Sequence, residues 1–294
     1  MKRINIVLLI FTVCNISACI NLDHIYTFAS ESESILQSQS DIGFSFYQSC
    51  LEFDCLADPP TLDNKLRLPE KECNCDTFLM ADKTILIFNK IISEYLGTMA
   101  NLSDEKKVNY NYADLSKSID AEAIRGKLNI TSDQINAASK LATDITNKLL
   151  DAYRKKKLHE VITGVNSDFQ NVMDAYIICI RDFLRDQIIE NSLDRLKNNY
   201  STYLKINNSL LTAEGKERVL KEYLSKKSAL EKSKKLATKY IESLQAIKAG
   251  HQTIFEEASH LDEQAVINMV LKSATNIKTL KEEFQNIKKI QPSN

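Results

Sequence analysis

The chain has 294 residues with 38 basic and 39 acidic side chains, and a net charge of −1 gives it no long-range field to draw it toward nucleic acid. Its 44% hydrophobic and 26% charged content, with six glycines and four prolines, is that of a folded helical protein and excludes a disordered one. Six glycines also leave too few positions for phosphate-cradling glycine loops.

In chain order the first element is a leader. Lys2 and Arg3 precede an apolar run from Ile4 to Val13, too short for a membrane span and suited to a secretory signal. The run closes on Ile16-Ser17-Ala18-Cys19. This segment resembles the lipobox of bacterial lipoproteins: a branched aliphatic residue, two small residues, then cysteine. The resemblance implies that residues 1–18 are a lipoprotein signal peptide, that Cys19 becomes a diacylated N-terminus, and that the chain is exported and held on a lipid bilayer. Ile20, in place of aspartate after the cysteine, resembles lipoproteins sent to the outer membrane where the host has two membranes. Loss of the leader removes Lys2 and Arg3 and takes the net charge from −1 to −3.

Other readings of the leader fit less well. An ordinary signal-peptidase cut needs small residues one and three positions before it, and Thr27 with Ala29 lies too far beyond the apolar run. Cys14 follows the bulky Val13 and leaves with the leader. An uncleaved N-terminal helix is one competing reading. A eukaryotic secreted protein, with sequons at Asn101, Asn129, Asn199 and Asn207, is another.

Residues 19–49 are read as a polar tether, because Ser30-Glu31-Ser32-Glu33-Ser34 and Gln37-Ser38-Gln39-Ser40 show little periodicity. Phe44, Phe46 and Tyr47 then dock the tether on the folded body. Residues 50–76 gather Cys50, Cys55, Cys73 and Cys75 with Pro59, Pro60 and Pro69. In an exported chain such cysteines predict disulfides. Cys73 and Cys75 are too close to pair with each other, which leaves 50–75 with 55–73 or 50–73 with 55–75. A four-thiolate metal site is the rival reading, disfavoured by an oxidising compartment, so neither a metal nor any other cofactor is expected.

Residues 77–294 form the helical domain. Between Lys71 and Gln291 no proline interrupts the chain, so long helices are permitted. Ala81, Ile85, Phe88, Ile92, Tyr95 and Met99 make the first stripe at helical spacing, and Val108, Tyr112, Leu115 and Ile119 a second. Thr131 with Gln134 predicts a capping box opening a third helix through Ala138, Ala142, Ile145, Leu149 and Ala152 toward Gly164. The fourth, about Asp168 to Tyr203, has two apolar rows and is the expected centre of the core, with Cys179 a buried, inert thiol. Leu230, Ala237 and Leu244, seven apart, mark the fifth, from Thr212 to Gly250. Val266, Val270, Ser273, Ile277, Leu280, Phe284 and Ile287 mark the sixth. The expected fold is all-α, an elongated antiparallel bundle of about five to six helices with a short disulfide-stapled N-terminal segment. Connections are expected near 101–105, 126–131, 164–167, 205–212 and 250–260.

No catalytic constellation emerges. His24, His159, His251 and His260 are the only histidines, and there is no H-E-x-x-H, G-x-S-x-G or kinase signature. Glu257-Ala258-Ser259-His260 is an E-x-x-H, but a di-metal bundle needs a second one. Arg154-Lys155-Lys156-Lys157 is the strongest basic run, read as a solvated helix segment, with anionic lipid or wall polymer as the alternative contact. The expectation is a non-catalytic, lipid-anchored envelope protein whose helical surface binds an envelope protein partner. An exclusion or immunity lipoprotein against phage, plasmid or toxin is one alternative. The other is a ligand-binding or enzymatic domain with a pocket inside the bundle.

Overall fold

The computed structural model describes residues 22–55, 74–104, 130–148 and 154–290, so Cys14, Cys19, Cys73 and the second predicted stripe lie outside the described residues. These residues form α1 (Asp23–Leu36), a 3-10 turn (Gln39–Ile42), the short α2 (Phe46–Ser49) and a π-helical turn (Cys50–Cys55). They continue as α3 (Asp76–Ser103), α4 (Ser132–Lys148), α5 (Arg154–Ile178), a π-helical segment (Cys179–Ile189), α6 (Glu190–Ile206), α7 (Ala213–Glu256) and α8 (Gln264–Lys289). No strand occurs among the described residues. The fold is an elongated, all-α antiparallel bundle.

Pairings along the helices fix their directions. Phe88 meets Tyr176 and Tyr95 meets Phe169, so α3 runs antiparallel to α5. Tyr176 meets Tyr240 and Gln170 reaches the Lys248 carbonyl, so α5 is antiparallel to α7. Lys281 binds Glu31 and Lys288 binds Asp41, which sets α8 parallel to α1. Hairpin α4–α5 is tied by Lys140 to Asp168 at 2.7 Å.

The N-terminal stretch departs most from expectation. The tether read over 19–49 is, from Asp23 to Leu36, a core helix: Ile25, Phe28, Ala29, Ile35 and Leu36 are fully buried between α3, α7 and α8. The stripe is real at three- and four-residue spacing, but Ser32 occupies its middle position and disguises it. Ser32 is itself buried, and its hydroxyl donates to the Phe28 carbonyl one turn back at 2.7 Å, so the position costs little polar desolvation. Glu31 and Ser34, which made the segment look solvated, both contact Lys281 of α8. Packing here is tight: a Cβ on Gly250 would lie 2.4 Å from the Phe28 ring, so only glycine lets α7 approach α1 this closely.

Two other boundaries shift. The connection expected at 164–167 is absent, since α5 runs unbroken through Gly164. An exposed mid-helix glycine costs about 1 kcal/mol, and its buried neighbours Ile162, Val165 and Phe169 outweigh that by packing. Likewise Gly250 lies inside α7, which ends at Glu256 rather than at the glycine.

The capping box forms as spelled. Thr131 Oγ1 accepts the Gln134 N–H at 3.2 Å and Gln134 Oε1 accepts the Thr131 N–H at 2.9 Å. Phe169, Val172, Met173, Tyr176, Cys179 and Ile180 are all buried, placing α5 and its π-helical continuation at the centre of the core.

Candidate functional site

Three features are built from residue types that carry chemistry. The first is the cysteine cluster. The π-helical turn over Cys50–Cys55 spaces the two thiols one wide turn apart, so a C-x4-C sequence that would diverge on an α-helix converges here. Asp82 of α3 holds this region in place, accepting the N–H groups of Phe46 at 3.0 Å and Tyr47 at 2.9 Å. Burial pushes the Asp82 carboxyl up, and these hydrogen bonds oppose that rise.

Cys50 and Cys75 are joined in a disulfide with Cα atoms 5.9 Å apart, the pairing that belongs with 55–73 in the two connectivities open from sequence. Cys55 is also disulfide-bonded, and its sulfur lies 3.3 Å from that of Cys75 and 4.0 Å from that of Cys50. The staple fixes the start of α3 to the α2 region across a sequence separation of 25. Closing a loop of that length removes about 3 kcal/mol of unfolded-chain entropy. The double variant Cys50→Ser/Cys75→Ser should therefore lose about that much unfolding free energy in urea titration. An unchanged midpoint and slope would mean that the bond does not constrain the unfolded chain.

The second feature is a buried polar network around His251. Tyr95, Phe169 and His251 are wholly buried, with the His251 ring stacked on Phe169 at 4.0 Å between centroids. His251 Nδ1 lies 3.0 Å from Asn166 Oδ1, which only accepts, so Nδ1 carries the proton. Nε2 is then the acceptor, and the Tyr95 hydroxyl donates to it at 2.6 Å. Asn166 continues the network by donating to Gln252 Oε1 at 3.1 Å. Burial pushes His251 down to about 3 and Tyr95 far above its ordinary range. With both nitrogens engaged and the ring neutral, His251 offers no lone pair to a substrate or metal. Its chemistry is spent on positioning three helices. A second pair repeats the device lower in the bundle, where the Tyr176 and Tyr240 hydroxyls lie 2.9 Å apart and Tyr240 reaches the Leu36 carbonyl at 3.4 Å.

The third is a solvent-open groove of about 500 Å³ lined by Glu231, Lys234, Lys235, Thr238, Lys239 and Ile287. Three of its four charged side chains are committed to ion pairs: Lys239 binds Glu242 at 2.6 Å and Glu283 at 2.8 Å, Lys234 binds Glu190, and Glu231 binds Lys227 at 3.5 Å.

Other candidates fall singly. Cys179 is buried and its thiol is pushed up to about 12 by desolvation, which makes it inert. The E-x-x-H residue His260 sits in the α7–α8 turn, exposed, and pairs with Glu263 at 2.7 Å rather than with Glu257. Arg154 to Lys157 open α5, but their side chains lie outside the described residues. Sequence reasoning missed His251 and the buried His24, whose ring is hydrogen-bonded to the Leu261 backbone. A signal for His251 existed: it is the next heptad position after Leu230, Ala237 and Leu244.

In comparison with known proteins, no family model, no curated protein and no solved structure matches the chain.

Proposed function

We propose that this is a lipid-anchored, non-catalytic cell-envelope protein whose helical domain acts as an interaction module. The observation that carries the reading is Ile16-Ser17-Ala18-Cys19 behind a short basic-apolar leader. The fold is compatible with it in two ways. No described helix is long and apolar enough to cross a membrane. The polar groups that converge around His251, and the Tyr176–Tyr240 pair, hydrogen-bond to one another, as building elements do.

Buried Leu22 lies only three residues after Cys19, a reach of about 10 Å even when extended. Acylation of Cys19 therefore sets the end of the bundle formed by the start of α1 and the α7–α8 turn directly on the headgroups. Metabolic labelling with a palmitate analogue tests the premise. Incorporation should occur in the native chain and in Cys14→Ser, and vanish in Cys19→Ser; label persisting in Cys19→Ser would refute the anchor. Challenge of cells with and without the gene by phage or conjugative plasmid separates the exclusion alternative from a general interaction role.

A further inference from the structure

Helices α6 and α7 leave the body together as a two-helix arm. Buried positions on α7 begin at Leu230, and before it the helix packs on α6 through Tyr223 against Tyr200, ring centroids 5.6 Å apart. The arm, residues 193–229, ends in the turn around Asn207 to Thr212, at the opposite end of the molecule from the start of α1.

Its surface differs from that of the body in two respects. Leu210 is 68% exposed, Ile206 56%, Leu224 54% and Leu220 49%, which makes them four of the six most exposed large hydrophobic side chains among the described residues. The arm also holds eight of the chain's 38 basic residues but only four of its 39 acidic ones, so it is net +4 while the remainder is −5. Lys205 adjoins Ile206, and Lys216, Arg218 and Lys221 surround Leu220 along α7.

We propose that the tip of this arm docks on an anionic lipid surface. Net charge of +4 on each arm opposes pairing with the arm of a second copy, so the occupant is anionic. Hot spots for a folded protein are built from clustered aromatic anchors and pockets. Here two of the three arm tyrosines are engaged with the arm itself, since Tyr200 faces Tyr223 and donates to Glu222 at 2.6 Å with Lys226 over its ring, and Tyr203 is half-buried. What remains outward is dispersed leucine and isoleucine among lysines and arginines that outnumber the exposed glutamates, of which Glu217 pairs with Lys221 and Glu222 with Lys226. A fluid interface accepts such side chains without shape complementarity, and basic stems snorkel past the buried apolar atoms to reach headgroup phosphates. The site is independent of acylation, because it lies at the other end of the bundle.

The test is vesicle co-sedimentation of the full chain carrying Cys19→Ser, which removes the acyl anchor from every sample. Binding to phosphatidylcholine vesicles containing phosphatidylglycerol should exceed binding to phosphatidylcholine alone by about tenfold or more and fall as salt is raised. The apolar variant Leu210→Ser/Leu220→Ser/Leu224→Ser and the charge variant Lys205→Gln/Lys216→Gln/Arg218→Gln should each lose at least about tenfold of that binding. Apart from half-buried Lys216 both alter exposed positions, and an unchanged helical melting curve verifies the fold. Met269→Ser/Leu271→Ser, exposed on α8, should bind like the parent. Equal binding to both vesicle types, or arm variants that bind like the parent because the leader alone drives association, would overturn the proposal. So would arm-dependent self-association, or arm-dependent binding to an acidic protein, without vesicle binding.

Discussion

Replacing Phe28 by alanine should cost about 3–5 kcal/mol of unfolding free energy, the range for emptying a well-packed aromatic site. The ring is wholly buried and abuts the backbone of α7 where Gly250 leaves no Cβ, so surrounding atoms cannot collapse into the space without moving a helix. A solvated tether at residues 19–49 would make the same substitution silent. Urea unfolding followed by circular dichroism decides between them: a midpoint shift with unchanged slope locates Phe28 in the core, and a parental curve would remove α1 from it. The effect is expected even without acylation, since it arises inside the bundle.

Acid should weaken the fold through His251. Its native pKa of about 3 lies below the ordinary 6.5, so between those values the unfolded chain binds the extra proton. Stability from keeping the ring neutral is therefore complete above about pH 6.5 and is lost progressively as pH falls toward 3, on the order of 4 kcal/mol in total. His24, also lowered by burial, adds a contribution of the same sign. Glu33, Asp82 and Glu94 work the other way: burial raises their carboxyls, so the folded state gains protons first as acid is added. The difference between the parent and His251→Gln isolates the histidine. The variant should be less stable at pH 7, where the Tyr95 and Asn166 bonds are disturbed, yet lose less on acidification. Parallel stability curves from pH 7 to pH 4 would show that His251 does not titrate with unfolding.

What the sequence made legible, and what it hid, follows from how each residue meets its neighbours. The stripes through Ile85, Phe88, Ile92 and Tyr95 and through Phe169, Val172 and Tyr176 were readable because burial there is chemically uniform along the helix. The α1 stripe was not, because Ser32 interrupts it with a hydroxyl that bonds one turn back, and Glu31 finds its lysine 250 residues away, a partner only the fold supplies. Glycine misled twice for one reason. Taken alone it breaks helices, but Gly164 is carried by buried neighbours, and Gly250 is required by a ring from another helix. The His251 network has a similar history. Its heptad position was visible, while its partners Tyr95 and Asn166 come from two other helices and are joined to it only by the fold. A buried polar residue at such a position also favours one helix register over a slipped one, because a shift strands the imidazole without partners.

From Arg154 to Ile206 the backbone is helical without a break, through α5, the π-helical segment and α6. That rod is on the order of 75 Å long at helical rise. Below Gly164 it contains neither glycine nor proline, and the π-helical segment at its middle, the one place where such a rod would bend, is gripped by α7 and α2. The arm is thus a lever rather than a flap: load applied at Leu210 turns the central shaft of the core, and the body and its tip reorient as one piece.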